Sequence, residues 1–414
     1  MAVDAVVSAP AHAGESLTRA QRVGYILTLG ALVALGPFTI DMYLPSFPQV
    51  QADLATTSSA IQLTLTATMV GFGLGQLIVG PLSDALGRRV PLLVATAIHV
   101  LSSVSIIFAH DVTGVMLGRV GQGIGAAGAA VVAMAMVRDL FGGQSLIHML
   151  ARMALVTGTA PVVAPLVGSA VLAFAPWRGV FVVLAGYGLL MTVAAGFMLK
   201  ETRSAEQRGD FKLATVLNRY RALFADRVFL GVAFIGGMSF SSMFAYLSAS
   251  SFVLQDVYGF TPQQFAFTFG ANAIGLVIFN QAAARLMRRV APRTVMTWGL
   301  ITVSAGASLL LVLSGMGVGV QWLLIALFFS IAPLGLITPT VQVLALHDHP
   351  KEAGTAASLL GAVNFGLAGL VSPIVGALGI SATAMAVVMV GALALAHLSL
   401  WTVVRPGTSS AVVV

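Results

Sequence analysis

The chain contains no cysteine and few charged residues. Without cysteine it forms no disulfides and has no thiolate chemistry or thiolate metal site. Only 8% of its 414 residues are charged, whereas 58% are hydrophobic; soluble domains carry roughly 25% charged residues. This small number of charges cannot cover a protein surface in water, and the surface must therefore face lipid. The net charge is +7, and the basic residues lie between apolar runs, which favours membrane topology over nucleic-acid binding.

The apolar residues form twelve runs, each long enough to cross a bilayer, for which about 20 residues suffice. They predict an all-α polytopic membrane protein with spans at 23–45, 59–81, 90–110, 112–136, 146–174, 178–199, 228–255, 262–284, 294–314, 320–345, 354–378 and 382–403.

The longest polar stretch divides these spans into two sets of six. The predicted organisation is a flexible cytoplasmic tail (1–22), a first six-helix bundle (23–199), a cytoplasmic linker (200–227), a second six-helix bundle (228–403) and a cytoplasmic tail (404–414). Apolar residues at Phe211, Leu213, Val216, Leu217 and Tyr220 indicate an interfacial helix within the linker.

The positions of the basic residues predict the orientation. With the N-terminus in the cytoplasm, all but Arg119, Arg152 and Arg178 of the 21 Lys and Arg residues fall on the cytoplasmic side. Because cytoplasmic loops are rich in Lys and Arg, we expect a multi-pass protein of the inner membrane with both termini cytoplasmic.

One short loop concentrates charge and turn-forming residues between the second and third spans. Glycines there allow a tight turn and a close backbone approach, and the acid suits a helix cap or an ion pair. A basic loop that serves topology alone is the alternative, but topology does not require the acid or the glycines. We therefore predict a conformational latch that closes the cytoplasmic side in an outward-open state, formed by Gly80, Asp84, Gly87, Arg88 and Arg89, with Asp139 as a partner for Arg88.

Asp41 is the acid that lies within an apolar span. A carboxylate near the bilayer core costs about 2.5–3.5 kcal/mol, which suggests a function or a partner. A carboxyl group removed from water takes up a proton more readily, so Asp41 is predicted to bind a coupling proton. Arg119, at a similar depth in the fourth span, is the predicted partner. The alternatives are an Asp41 that faces water beside Pro45, and a purely structural pair.

The fifth span carries Gly158, Pro161, Pro165 and Gly168 at helical spacing on roughly one face. Proline bends a helix and glycine admits a close neighbour, so we predict a bend that shapes a cavity and seals against proton leak. Ordinary helix packing is an equally good reading of these four residues.

Several of these motifs resemble those of a known family. Gly80-x-Leu82-x-Asp84-x-x-Gly87-Arg88-Arg89 is similar to the signature loop of the major facilitator superfamily. The segments 117–123 and 158–168 resemble the fourth-helix and fifth-helix motifs of its drug/proton antiporters, although Ala160 and the pair Gly168-Ser169 depart from the common form. The segments 41–45 and 135–139 resemble the Bcr/CflA drug-resistance branch.

The resemblance implies two six-helix bundles around a central cavity, a proton-coupled drug exporter and a coupling role for Arg119. Flexible methionines and flat aromatic rings are suited to binding variable apolar ligands. Candidate pocket residues, each of which could equally face lipid or core, are Phe38, Met42, Met69, Phe234, Met238, Phe244, Asn272 and Asn364.

The expected partners are a small-molecule drug, protons and the lipid bilayer, with no nucleic acid, no metal, no cofactor and a monomeric state. An exporter of an amino acid or sugar is the alternative within this class. A membrane-embedded enzyme would require a cluster of acid, base or metal-binding groups, for which His347-Asp348-His349 is the nearest approach.

Overall fold

The computed structural model describes residues 17–203, 213–349 and 353–404, together with Gly14, Glu206 and Arg208. In this part of the chain the regular structure is helical throughout, and twelve helices are long and apolar enough to cross a membrane. The predicted all-α architecture with twelve spans is confirmed.

The first half of the protein contains seven helices. They are α1 (Arg19–Asp41), α2 (Phe47–Asp53), α3 (Ser58–Leu86), α4 (Arg89–Ile107), α5 (Val112–Leu140), α6 (Gly143–Leu172) and α7 (Arg178–Met198).

A linker helix and the second half follow. They comprise α8 (Leu213–Ala225), α9 (Arg227–Phe252), α10 (Pro262–Leu286), α11 (Pro292–Gly315), α12 (Val320–Ile331), α13 (Leu334–His347), α14 (Ala353–Ala377) and α15 (Ala382–Ser399).

Side chains that cap the backbone set where many of these helices begin. Asp111 accepts from the N–H of Gly114 at the start of α5, and Thr57 accepts from that of Ala60 at the start of α3. Thr261 and Gln264 form a reciprocal capping box at α10. Such caps satisfy N–H groups that the first helical turn leaves without a partner, and they explain why short loops suffice to separate apolar helices.

The first span is longer than predicted. It runs from Arg19 to Asp53, rather than over 23–45, because the chain continues as helix after a break. The break begins where α1 ends at Asp41, and a short 3₁₀ helix, Leu44–Ser46, leads into α2. Pro45 and Pro48 lie at the starts of these two elements, where a missing N–H is tolerated. Sequence analysis took the prolines as the end of the span, but they mark an interruption within it.

Glycines bring α3 and α5 into backbone contact. A Cβ on Gly71 would lie 2.1 Å from the Val120 carbonyl oxygen, and one on Gly123 would lie 2.3 Å from the Thr68 carbonyl oxygen. No side chain fits at either position. Small residues are the usual means by which helices approach closely in lipid, so the glycine-rich composition of these spans is a packing requirement.

The two halves contact each other mainly through α3 with α14 and α6 with α10. We call the end of the spans that carries Arg88 and Arg89 the basic face, and the opposite end the far face. In the described residues, every side-chain hydrogen bond that joins the halves lies at the far face. Neutral side chains donate to main-chain carbonyls in each: Ser251 to Leu44, Gln255 to Pro45, Ser59 to Gly376 and Gln263 to Ser169.

The linker contains the helix that its apolar residues indicate. Helix α8 spans Leu213–Ala225, with Leu223 fully buried. Phe211, most of the predicted tail 1–22 and nearly all of the predicted tail 404–414 lie outside the described residues.

Candidate functional site

The charged loop folds into a compact network at the basic face. Gly87 has a φ of +91°, which favours glycine, and it separates α3 from α4. The Arg88 guanidinium donates to Asp84 at 2.7 Å, to Ser83 at 2.8 Å and to Asp139 at 2.8 Å. The structure therefore has both contacts suggested by the sequence, Asp84 with Arg88 and Asp139 with Arg88.

Glu201, at the start of the linker, completes this network and was missed by sequence analysis. Its carboxylate accepts the backbone N–H groups of Arg88 at 2.8 Å and Arg89 at 3.1 Å, and so caps the first turn of α4. Burial raises the pKa of Glu201, but hydrogen bonds from the backbone of Arg88, Arg203 and Arg89 lower it by more, so the pKa lies below its usual value. An acid just after a span, beside a loop that exposes helix N–H groups, is the signal that could have found it.

Two further linker residues bind the same network. Thr202 donates to Asp139 at 3.0 Å, and Arg203 pairs with Asp84 at 2.7 Å. All these ion pairs lie within the first half and the linker, and they are complete while the far face is closed. The ion pairs are thus formed in a structure whose far face is closed, and the role of the loop as a conformational latch stays a prediction. One latch residue, Gly80, approaches the second half: a Cβ on Gly80 would be 3.7 Å from the Ser358 hydroxyl of α14.

Asp41 lies at the break in the first span. Its side chain is only 5% exposed, and within the described residues it forms no hydrogen bond or ion pair. Tyr246 of α9, in the second half, lies near Asp41. Asp41 is buried, and the chain is helical again beyond the break as far as Asp53; its place relative to the membrane surface stays a prediction. It occupies a buried position between the halves.

Arg119 is not paired with Asp41, contrary to expectation. Its guanidinium is fully buried, donates to the Thr39 carbonyl oxygen at 2.8 Å and lies 4.7 Å above the Tyr43 ring. Thr39 and Asp41 are two residues apart, which is about 200° around a helix. Arg119 therefore meets the side of α1 opposite to Asp41. Sequence analysis matched the depths of the two residues but had no information on the direction each one faces.

The pocket candidates divide between the two halves. Met42 and Met69 are buried, and Phe38 is half-buried with its ring 5.3 Å from that of Tyr187. Asn272 donates to the Tyr246 hydroxyl at 3.0 Å, close to Asp41. Tyr246 was not among the predicted site residues.

An aromatic chain crosses the interface between the halves. Phe72 of α3 contacts Phe365 of α14 at 5.0 Å, Phe365 contacts Phe240 of α9 at 5.3 Å, and Phe240 stacks on the predicted candidate Phe244 at 6.3 Å. Of the remaining candidates, Phe234 is half-buried, Met238 is buried and Asn364 has a buried side-chain oxygen with no described partner. This surface suits flat apolar ligands.

The fifth-span motif lies on α6, the helix that packs against α10 of the second half. A Cβ on Gly158 would lie 3.5 Å from Val277 of α10, while one on Gly168 would collide with the Met42 carbonyl oxygen of the first half. Pro161 and Pro165 lie inside α6, which is continuous from Gly143 to Leu172. Gly168 therefore packs closely, against the first half, whereas the contact at Gly158 is an ordinary one; the bend and the proton seal stay predictions.

Comparison with known proteins identifies the family. The model of the Major Facilitator Superfamily matches residues 28–373. The chain belongs to the major facilitator superfamily. Among solved superfamily-like structures, the xylose transporter XylE from E. coli, in a partially occluded inward open conformation, aligns with a TM-score of 0.74 at 13% identity, covering 95% of this chain and 100% of that one. This likeness supports the fold.

Curated relatives narrow the position within the superfamily. The MFS-type transporter YdgK of Bacillus subtilis is 36% identical and covers 86% of this chain and 89% of its own length. A bicyclomycin resistance protein homolog of Haemophilus influenzae is 30% identical over 84% of this chain and 87% of its own. The multidrug resistance protein MdtL of Vibrio parahaemolyticus is 27% identical, with 81% and 84% coverage. These relatives confirm the resemblance to the drug-resistance branch of the superfamily.

The His347-Asp348-His349 sequence forms separate pairs in this superfamily member. His347 contacts Asp348 at 2.7 Å, whereas His349 contacts Asp226 at 3.0 Å. Asp226 also caps α9 through the N–H groups of Val228 and Phe229. Burial raises the pKa of Asp226, but the hydrogen bonds from Phe229, His349 and Val228 outweigh it and hold the pKa below its usual value. In the described residues no group of three or more His, Asp or Glu side chains is arranged to hold a metal.

Proposed function

We propose that this protein exports apolar or amphipathic drugs across the inner membrane in exchange for protons. The observation that carries the proposal is the buried, unpartnered carboxyl of Asp41 at the break in the first span, between the two halves. The names of two relatives, a bicyclomycin resistance homolog and a multidrug resistance protein, support drugs as the cargo. The protein acts as a transporter rather than an enzyme, and the proton gradient is its energy source.

The charges and the cross-half hydrogen bonds support an orientation and a state. The basic face is cytoplasmic, since Lys and Arg concentrate on that side of membrane proteins, and both termini lie there. The far face, closed by hydrogen bonds between the halves, is then the outer side. This arrangement supports a state that is closed toward the outside, which a drug enters from the cytoplasm.

Asp41 couples the export of the drug to the entry of the proton. Ionised, it carries a charge whose burial costs about 2.5–3.5 kcal/mol; protonated, it is neutral and tolerates a closed cavity. A drug that fills the space beside Asp41 and a proton bound to it therefore compete, and this competition makes transport an exchange. Each elementary charge that moves through the potential supplies about 2.3 kcal/mol per 100 mV.

The experiment is drug-induced proton release in everted membrane vesicles prepared from cells that produce the protein. Antibiotics and lipophilic cations are added to an established pH gradient, and its collapse is followed. We expect collapse with the parent and with Asp41→Glu, and no collapse with Asp41→Asn. Asp256→Asn is the matched control, because Asp256 is an exposed acid just beyond the end of α9. Release that persists in Asp41→Asn contradicts the coupling role.

A second candidate is an exporter of a polar metabolite. Several polar atoms in the second half are buried without described partners, among them the hydroxyls of Ser239 and Ser242 and the side-chain oxygen of Asn364. Such groups suit a ligand that forms hydrogen bonds. In the same vesicles, proton release by amino acids or sugars, with none by the drugs, decides for this candidate. The monomeric state and the lack of a cofactor belong to both proposals.

A further inference from the structure

A closed ring of hydrogen bonds lies inside the first half, around Arg119. Arg119 donates to the Thr39 carbonyl oxygen at 2.8 Å and to Gln122 at 3.0 Å. Gln122 donates to Ser103 at 2.7 Å, and Ser103 donates to the His99 carbonyl oxygen at 2.7 Å. The His99 ring nitrogen Nε2 closes the ring on the Thr39 hydroxyl at 2.9 Å. All five side chains are fully buried, and they join α1, α4 and α5.

The direction of the last bond follows from the single hydrogen of a hydroxyl. The Thr39 hydroxyl donates to the Leu35 carbonyl oxygen at 2.6 Å, so it must accept from His99, and Nε2 carries the proton. The other nitrogen, Nδ1, is buried without a partner and faces Gly188. A second proton there would be a buried donor with nothing to bond, beside the Arg119 cation. The His99 imidazole is therefore neutral and its donor is fixed on Thr39.

The ring holds α1 at its weakest point. Pro37 deprives this turn of one backbone hydrogen bond, and α1 ends at Asp41, just before the break. The Thr39 main chain is held by Arg119 and its side chain by His99, which fixes the direction that Asp41 faces, about 200° further around the helix. Two of the Arg119 nitrogens, Nε and Nη2, stay without partners. They are donors available to a carboxylate if the end of α1 turns.

We propose that His99 is a positioning residue for proton binding at Asp41: by donating to Thr39 it holds the end of α1 so that Asp41 is kept away from the Arg119 guanidinium. Asp41 is thereby left free to be neutralised by a proton instead of by Arg119. The inference rests on the coupling role proposed for Asp41. Without the His99 bond, the end of α1 turns, Arg119 pairs with Asp41, and the ion pair stabilises the carboxylate against protonation.

The ionisable groups around this end of α1 are few. They are Arg119 on α5, His99 on α4, Tyr187 on α7, Tyr246 on α9 and Tyr43 just beyond Asp41. Helix α6 also packs against α1, but its ionisable residues lie at its other end, at least about 24 Å away along the helix. Arg119 is thus the permanent cation among these groups, and its distance from Asp41 governs how easily Asp41 takes a proton.

The test is an infrared titration of the purified protein in lipid nanodiscs, without any drug. The carbonyl band of the protonated Asp41 carboxyl is the band that Asp41→Asn removes, and its loss with rising pH gives a titration midpoint. An opposite charge that comes within reach of a carboxylate lowers this midpoint by about one to three pH units. We expect such a fall in His99→Leu and in Thr39→Val, with no further fall in the double variant, since both remove the same bond. His99→Gln, which keeps an N–H donor, restores the parent midpoint.

The outcomes separate this inference from the proposed function. A midpoint unchanged in both His99→Leu and Thr39→Val overturns the inference, as does an Asp41 band that does not titrate in any variant. Thr39→Val keeps the shape of the side chain, so it serves if His99→Leu fails to fold. Vesicles that show no drug-induced proton release, together with the expected fall in midpoint, overturn the proposed function and leave the positioning role intact.

Discussion

Removal of the Arg88 guanidinium gives a direct measure of the basic-face network. This side chain is 6% exposed and binds Asp84, Asp139 and Ser83. Breaking a buried ion pair by removing one partner costs about 3–5 kcal/mol, because the other charge loses its compensation. Asp84 is 52% exposed and Asp139 24% exposed, so water recovers part of the loss. We therefore expect Arg88→Ala to destabilise the protein by about 3 kcal/mol.

The assay is thermal unfolding of the purified protein, followed by the loss of its monodisperse peak in size-exclusion chromatography. For a cooperative unit of 150–250 residues, such as one half, about 3 kcal/mol corresponds to a fall in Tm of roughly 6–12 °C. Arg89→Ala is the matched control. Arg89 is the next residue, exposed, and bonds a single carbonyl, that of Gly196, so its loss should cost less than about 1 kcal/mol. Equal Tm values for the two variants would refute the argument from burial.

Two further predictions concern the linker and the helix packing. The pKa of Glu201 is depressed below its ordinary value of 4.5, so its contribution to stability is present above that value and lost as the pH falls through the depressed pKa. Glu201→Gln should therefore lower the Tm at pH 7 and remove part of the acid-induced fall in Tm. An unchanged pH profile of Tm would speak against the capping role. Gly71→Ala should force α3 away from α5 and lower the Tm. At Gly73 a Cβ would meet nothing within 4 Å, so Gly73→Ala should leave the Tm unchanged or raise it. The reverse order of the two Tm values in the same thermal assay would show that the helices do not approach as described.

The span pattern was readable from the sequence because hydropathy depends on composition and length alone. All twelve predicted spans correspond to helices, and most ends agree within a few residues. The exception is informative. Pro45 was read as the end of the first span, but proline interrupts a helix in lipid without ending the crossing, since neighbouring groups satisfy the freed backbone. The length of the first span was therefore underestimated.

The candidate site was predicted less evenly. Arg88, Asp84 and Asp139 come together as expected, because i,i+4 spacing and a shared membrane depth constrain them. Asp41 and Arg119 also share a depth, yet α1 presents opposite sides to them, and rotation about a helix axis leaves no trace in hydropathy. The role of His99 was likewise invisible, because its partner Thr39 lies 60 residues away on another helix.

The far-face hydrogen bonds have a consequence for how the protein responds to its surroundings. All four are donated by hydroxyl or amide groups to main-chain carbonyls, so this seal carries no charge that salt could screen or acid could neutralise. Each bond is worth about 0.5–1.5 kcal/mol net, because water replaces it when the seal parts. These hydrogen bonds therefore add little to the free energy needed to open the far face, and their contribution does not depend on the salt concentration or the pH of the surrounding medium. In the orientation and coupling proposed above, a proton that arrives from that side meets only uncharged hydrogen bonds at the far face before it reaches Asp41.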